Sequence, residues 1–290
     1  MNTNEIENTV KALEFKQGMH LSLDSPLVMG IINITPDSFY DGGRYISRQA
    51  AIERSEQLIA EGTDLIDLGA ASTRPGAEDV TPHEELERLV PVLDYLVKHH
   101  PKTPVSIDTF HASVAKETLE RGASLINDIT GGADSEMYTT VGTYKAPYVL
   151  MHIQGTPKTM QQEPHYTDVV EEVHEYFAER IQKLQAAGVE QIIIDPGFGF
   201  GKTVEHNYTL LRHLDRFKDL GLPIMAGVSR KSMINKVLKT KPENALTGTI
   251  SLNTLALLQG ARILRVHDVK EAKQVIELVK QYLPTNVITD

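Results

Sequence analysis

Several short apolar runs in this chain stop abruptly at a residue able to do chemistry. The clearest is Gln191 to Thr203, QIIIDPGFGFGKT, in which Ile192 to Ile194 end at Asp195, and a proline and three glycines follow. An apolar β-branched run bounded by turn signals reads as a buried strand. An acid at its exit then sits at a mouth, with glycines that let the backbone approach a ligand closely. Two phosphate-binding patterns nearly match here and both fail. GxxxxGK[ST] would need glycine at Pro196, and GxGxxG would need glycine at Lys202. Other runs end at Asn33, at Thr73 and Arg74, at Asp108, at Asn127, at Ser229 to Ser232 with Lys231, and at Arg265 and His267. Taken singly, such an acid caps a helix, a histidine is structural and an Arg-Lys pair is solvated. Taken together they form two sets. Asp108, Asn127 and Asp195 supply acceptors and an amide suited to a flat heterocycle rich in N–H donors, with Met151 and Phe200 as walls. Arg74, Lys231, Arg265 and His267 are a cationic set suited to a phosphate or pyrophosphate. Arg265 and His267 stand two apart and share a strand face. Asn33 and the acid-containing loop after it could hold Mg2+ on that anion.

The elements that must position these groups repeat one unit: apolar strand, polar exit loop, amphipathic helix. The strands read as Val28 to Ile32, Asp64 to Leu68, Val105 to Ile107, Leu125 to Ile126, Tyr148 to Met151, Ile192 to Ile194, Leu222 to Gly227 and Ile263 to Val266. Ser47 is expected to cap the first helix, and Thr81-Pro82-His83-Glu84 is a capping box with proline at the first helical position. A long helical region is expected between the seventh strand and Gly260. Eight strands alternating with eight helical regions predict a single-domain α/β protein, a (β/α)8 TIM barrel over residues 27–290. An open doubly wound sheet is the runner-up, but it gathers ligand groups at one switch point rather than at nearly every strand exit. Residues 1–26 read as a lead-in, with a strand pair over Phe15 to Leu23 covering the barrel bottom.

The 290 residues carry a net charge of −10, which disfavours a general nucleic-acid or anionic-membrane binder. With no cysteine, disulfides, thiolate catalysis and thiolate metal sites are excluded. No apolar run reaches the length of a membrane span, and the acidic, polar N-terminus lacks a signal peptide's apolar centre. A cytoplasmic location is the resulting expectation.

The segments GIINITPDSFYDGG, STRPGA, SIDTF, INDI, LMHIQGTPKTM, IIIDPGFGFGK, GVSRKS and RVHDV resemble, in order, the motifs of the dihydropteroate synthase family. The resemblance spans residues 27–283. It implies condensation of the pyrophosphate ester of 6-hydroxymethyl-7,8-dihydropterin with 4-aminobenzoate, giving 7,8-dihydropteroate and pyrophosphate in folate synthesis. It further implies that Asp108, Asn127, Asp195 and Lys231 hold the pterin, with Met151 and Phe200 near the rings. Asn33, through Mg2+, Arg265 and His267 would hold the pyrophosphate. Thr73, Pro75, Lys231, Phe200 and Ser232 would line the aminobenzoate site, and Thr73 and Arg74 would lie on a closing loop. Asp108, Lys231, Arg265 and His267 are the expected catalytic groups. The resemblance also implies a homodimer through the last helices and ordinary sulfonamide sensitivity. One departure is GAASTRPGA, in which Ala71 replaces a usually polar loop residue. A corrinoid-linked methyltransferase on a similar pterin-binding barrel would not need Arg265 and His267, and an inactive paralogue would not need the full residue set.

Overall fold

The computed structural model describes residues 10–34, 43–70, 80–156, 159–160 and 163–283. Two short strands, β1 (Ala12–Glu14) and β2 (His20–Ser22), form an antiparallel hairpin. Eight parallel strands follow: β3 (Leu27–Asn33), β4 (Leu65–Gly69), β5 (Val105–Asp108), β6 (Leu125–Asp128), β7 (Tyr148–Met151), β8 (Ile192–Asp195), β9 (Met225–Ala226) and β10 (Ile263–Val266). Their order in the sheet is β8-β7-β6-β5-β4-β3-β10-β9. A parallel bridge between Ile194 and Ile224, with Ile194 N–H donating to Pro223 O at 3.0 Å, joins the two ends. The sheet is thus a (β/α)8 barrel, wrapped by α1 (Gly43–Ala60), α2 (Pro82–His99), α3 (Ala112–Glu120), α4 (Met137–Tyr144), α5 (Val169–Ala186), α6 (Val204–Arg212), α7 (Ser232–Leu238), α8 (Leu246–Leu258) and α9 (Val269–Tyr282).

Strand alternation decides what lies inside. Ile66, Leu68, Val105, Ile107, Ile192 and Ile194 belong to the layer between strands and helices. Met29, Leu65, Leu125, Val149, Ile193, Met225 and Ile263 form a separate apolar layer with Leu13, Phe15 and Leu23 of the hairpin region. This second layer is the lower interior of the barrel, floored by the hairpin. Successive inward positions lie two residues apart. The next inward groups on these strands are therefore Ile31, Asp67, Asn127, Met151, Asp195, Gly227 and Arg265. Sequence alternation alone lifts the chemistry one layer above an oily floor.

Four expected boundaries move. The hairpin begins at Ala12, not Phe15, because fully buried Leu13 is part of the plug and Phe15 stands in the turn. Helix α1 begins at Gly43, so Ser47 lies inside it rather than capping it. The long helical region is two helices: α7 ends at Leu238, its C-cap Lys239 takes φ 52°, and a 3-10 turn at Pro242–Asn244 precedes α8. Proline at 242 cannot donate to a continuous helix. The seventh strand is shorter than expected, only Met225–Ala226. The capping box of α2 is present, with Thr81 N–H donating to Glu84 Oε2 at 2.9 Å.

Candidate active site

The register aligns Asn33 with Gly69, Gly69 with Asp108, and Asp108 with Asn127, one row across four adjacent strands. Met151 and Asp195 align on β7 and β8. A Cβ placed on Gly69 would lie 3.4 Å from Asn33 Oδ1 and 3.6 Å from Asp108 Oδ2. One placed on Gly227 would lie 3.5 Å from Lys231 Nζ, 3.6 Å from Asp195 Oδ2 and 3.9 Å from Arg265 Cβ. The glycines clear the centre of the mouth, and the polar groups gather around it.

Asp67, which stands mid-strand and not at a strand exit, is the hub. It is fully buried. It accepts from Ser106 Oγ at 2.5 Å, from Asn127 Nδ2 at 3.0 Å and from Arg265 Nε at 2.6 Å. Arg265 Nη2 also donates to Asp108 Oδ2 at 2.7 Å. The acidic and cationic sets are therefore one network, not two separate patches. Burial alone would lower the Arg265 pKa, but Asp67 and Asp108 more than offset it, and the guanidinium is held firmly charged. Burial lifts Asp108 to about 7, with Arg265 pulling down and neighbouring carboxylates pushing up. Because Asn127 gives its N–H to Asp67, its Oδ1 faces the other way, buried and without a hydrogen-bond partner among the described residues. A buried acceptor left unpaired costs roughly 1–3 kcal/mol unless a ligand satisfies it.

Asp195 is buried and accepts from Gly197 N–H at 2.8 Å. Burial raises its pKa, opposed by Lys231. Lys231 donates to Phe198 O at 2.6 Å and lies 4.7 Å from the centre of the Phe200 ring. Burial lowers its pKa to about 8, with Asp195 opposing. Met151 is buried against the Asp195 loop, Phe200 is half-buried, and Ser232 is exposed at the start of α7.

His267 does not belong to a cationic set. Burial, then Arg265 and Arg230, lower its pKa to about 4, so the ring is neutral at pH 7. Ser229 Oγ accepts from His267 N–H at 3.2 Å and faces His267 Nδ1 at 3.0 Å. When the serine hydroxyl donates to Nδ1, the ring proton stands on Nε2 as a donor. Thr73, Arg74 and Pro75, with Ala71, lie outside the described residues.

Asp67 had a signal in the sequence: it is the single carboxylate in the middle of LIDLG, where a buried strand has no other reason for charge. Ser229 carried none beyond its place in the exit loop. As for Mg2+, no three His, Asp or Glu side chains among the described residues gather as a metal site. Asn33 offers one exposed end-of-strand amide beside Asp108. That amide oxygen is of the ligand type Mg2+ takes, and the acid-containing loop after Asn33 lies outside the described residues.

Fold and mouth together define a pterin-binding barrel enzyme, and residues 29–267 match the family described as pterin binding enzyme. The dihydropteroate synthase of Escherichia coli (strain K12) is 43% identical over 271 residues, covering 93% of this chain and 96% of that one. Xanthomonas albilineans dihydropteroate synthase with 4-aminobenzoic acid superposes at a TM-score of 0.88 with 41% identity, covering 95% of this chain and 100% of that one. The Yersinia pestis enzyme in a sulfonamide drug complex gives 0.88 and 40%, covering 93% and 98%. The chain belongs to the pterin-binding enzyme family, in its dihydropteroate synthase branch.

Proposed function

We propose that this transferase carries out its reaction, joining 6-hydroxymethyl-7,8-dihydropterin pyrophosphate to 4-aminobenzoate, by pyrophosphate loss followed by aniline attack in the one mouth above the apolar floor. Asn127 Oδ1 and the Asp195 carboxylate accept from the ring's N–H edge, and Lys231 donates to it. Lys231 uses one of its three N–H groups on Phe198 O, which leaves two for the ligand. Met151 and Phe200 flank the rings. Arg265 has five N–H donors. Two are taken by Asp67 and Asp108. The rest face the pyrophosphate from a guanidinium that is already fixed, so charge growing on the leaving oxygen meets donors that need no reorganisation. His267 adds a neutral Nε2–H rather than a charge.

Breaking the C–O bond leaves its electron pair on pyrophosphate, and the electron-poor exocyclic carbon shares its charge with the pterin ring. Asp108, in its ionised form beside Arg265, supports that charge. The aniline nitrogen of 4-aminobenzoate then bonds the carbon and loses a proton. Mg2+ on the pyrophosphate, with Asn33 as its protein ligand, would neutralise leaving-group charge. Thr73, Pro75 and Ser232 complete the aminobenzoate end, and Thr73 and Arg74 close over it. A homodimer in the cytoplasm belongs to the same proposal.

The observation that carries the reading is the buried, unpaired Oδ1 of Asn127 set beside Asp108 in one register row. Purified protein given both substrates and Mg2+ should release pyrophosphate and 7,8-dihydropteroate in equal amounts, with a sulfonamide competing against 4-aminobenzoate. Pyrophosphate release with no pteroate formed would reject the condensation.

A further inference from the structure

Lys202 closes the stretch whose spacing comes close to a phosphate loop, and its amino group is turned onto backbone carbonyls and a histidine. The residue is only 3% exposed. Its Nζ lies 2.9 Å from His152 Nδ1, 3.0 Å from Phe200 O, 3.1 Å from Gly197 O and 3.3 Å from His152 O. An ammonium offers three donors, and here four acceptors from two strand exits surround it. Burying such a charge is costly, and burial pushes its pKa well below the ordinary value, with Asp195 opposing. His152 stays neutral, lowered by burial and by Lys202, so its Nδ1 can accept.

The loop around this ammonium needs an external restraint. Gly197, Gly199 and Gly201 take φ of 69°, 83° and 60°. Glycines in the left-handed region lose the most conformational freedom on ordering. They are also pressed against β7's exit: a Cβ on Gly197 would fall 2.0 Å from His152 O, and one on Gly201 2.6 Å from Gln154 O. No side chain at these positions can lock the loop. Lys202 grips it by two carbonyls, and both belong to residues that act at the mouth. Gly197 carries the N–H that orients Asp195. Phe200 carries the ring beneath Lys231, and its own N–H donates to Gly197 O at 3.1 Å.

We infer that Lys202 is a positioning residue, an ammonium peg that pins the glycine loop 196–201 to the end of β7 and so sets Asp195 and Phe200 for the pterin ring. The inference rests on the pterin reading of the mouth. It differs from a role in stability alone, because the loop it fixes presents ligand-binding groups.

Lys202→Met removes the ammonium and keeps the stem. Lys202→Cys, alkylated while unfolded with 2-bromoethylamine and refolded, rebuilds an ammonium of equal length with sulfur for one methylene. The chain has no other cysteine, so the modification falls at one place. In calorimetric titrations with 6-hydroxymethylpterin, folded Lys202→Met should bind about tenfold more weakly, and the alkylated protein should return to within about threefold of the unaltered chain. Should Lys202→Met not fold, His152→Phe carries the test. It keeps the carbonyl contacts and a ring against Tyr166 and Tyr176, loses the ring acceptor, and should weaken pterin binding about threefold. A lowered Tm with unchanged pterin affinity in the folded variant would overturn the positioning role. An unaltered chain that binds no pterin would instead reject the functional reading beneath it.

Discussion

Arg265 is held on both sides by acids from other strands, and that arrangement governs what its loss would do. Arg265→Ala removes the donors to the leaving group and strands buried Asp67 and Asp108. We expect kcat/KM to fall by on the order of 3 kcal/mol, about a hundredfold. Arg265→Lys should not rescue it, since an ammonium lacks the planar fork that spans two carboxylates. Steady-state kinetics of both variants check this. Lys231 sets the alkaline side. It is charged below about 8 and loses its proton above, because burial disfavours the cation. kcat/KM for the pterin substrate should therefore decline as pH rises through about 8. In Lys231→Arg, weaker but always charged, that decline should vanish from the pH profile. At this scale the sequence was legible wherever chemistry stood at a strand's end: Asn33, Asp108, Asn127, Asp195, Lys231 and Arg265 all reach the mouth. Asp67 stands mid-strand: its charge within LIDLG is visible, but its role is not, because its contact with Arg265 spans 198 residues. The charge of His267 is not legible either, because its type is visible in a sequence and its burial is not.

The hairpin and the strands share one apolar interior, so the element furthest from the chemistry supports it. Leu13 is fully buried there with Met29, Leu65 and Val149. The Gln191 amide clips the hairpin to the barrel, accepting from Glu14 N–H at 2.7 Å and donating to Glu14 O at 2.8 Å. Leu13→Ala should cost roughly 2–5 kcal/mol of stability, since the cavity opens between fixed walls. Urea denaturation would register this as a lower midpoint, with turnover at 25 °C little changed. A midpoint equal to that of the unaltered chain would show that the hairpin is not part of the folded core. The eight barrel strands were legible because parallel strands covered on both faces read as apolar runs. The hairpin's start and the break between α7 and α8 were not. The first depends on one leucine reaching a distant interior, and the second on backbone turns at Lys239 and Pro242 inside an otherwise helical pattern.

For the molecule as a whole, the late helices leave apolar side chains in the open. Leu278 and Tyr282 on α9 are 71% and 75% exposed, and Leu255 on α8 is 47% exposed. These fit the homodimer proposed above, and Leu278→Glu should shift the mass measured by light scattering from dimer to monomer. A monomer for the unaltered chain would remove that part of the proposal. No helix among the described residues is long and apolar enough to cross a membrane. Acids and amides from separate strands must meet one flat ligand for the proposed chemistry to run. Titration of 6-hydroxymethylpterin, which lacks the leaving group, into the protein and its Asp195→Asn variant tests this most directly. We predict one site per chain, weakened about ten- to a hundredfold by the substitution, as expected for a charge-assisted hydrogen bond worth about 1.5–3 kcal/mol. Equal affinity in the two proteins would contradict the account.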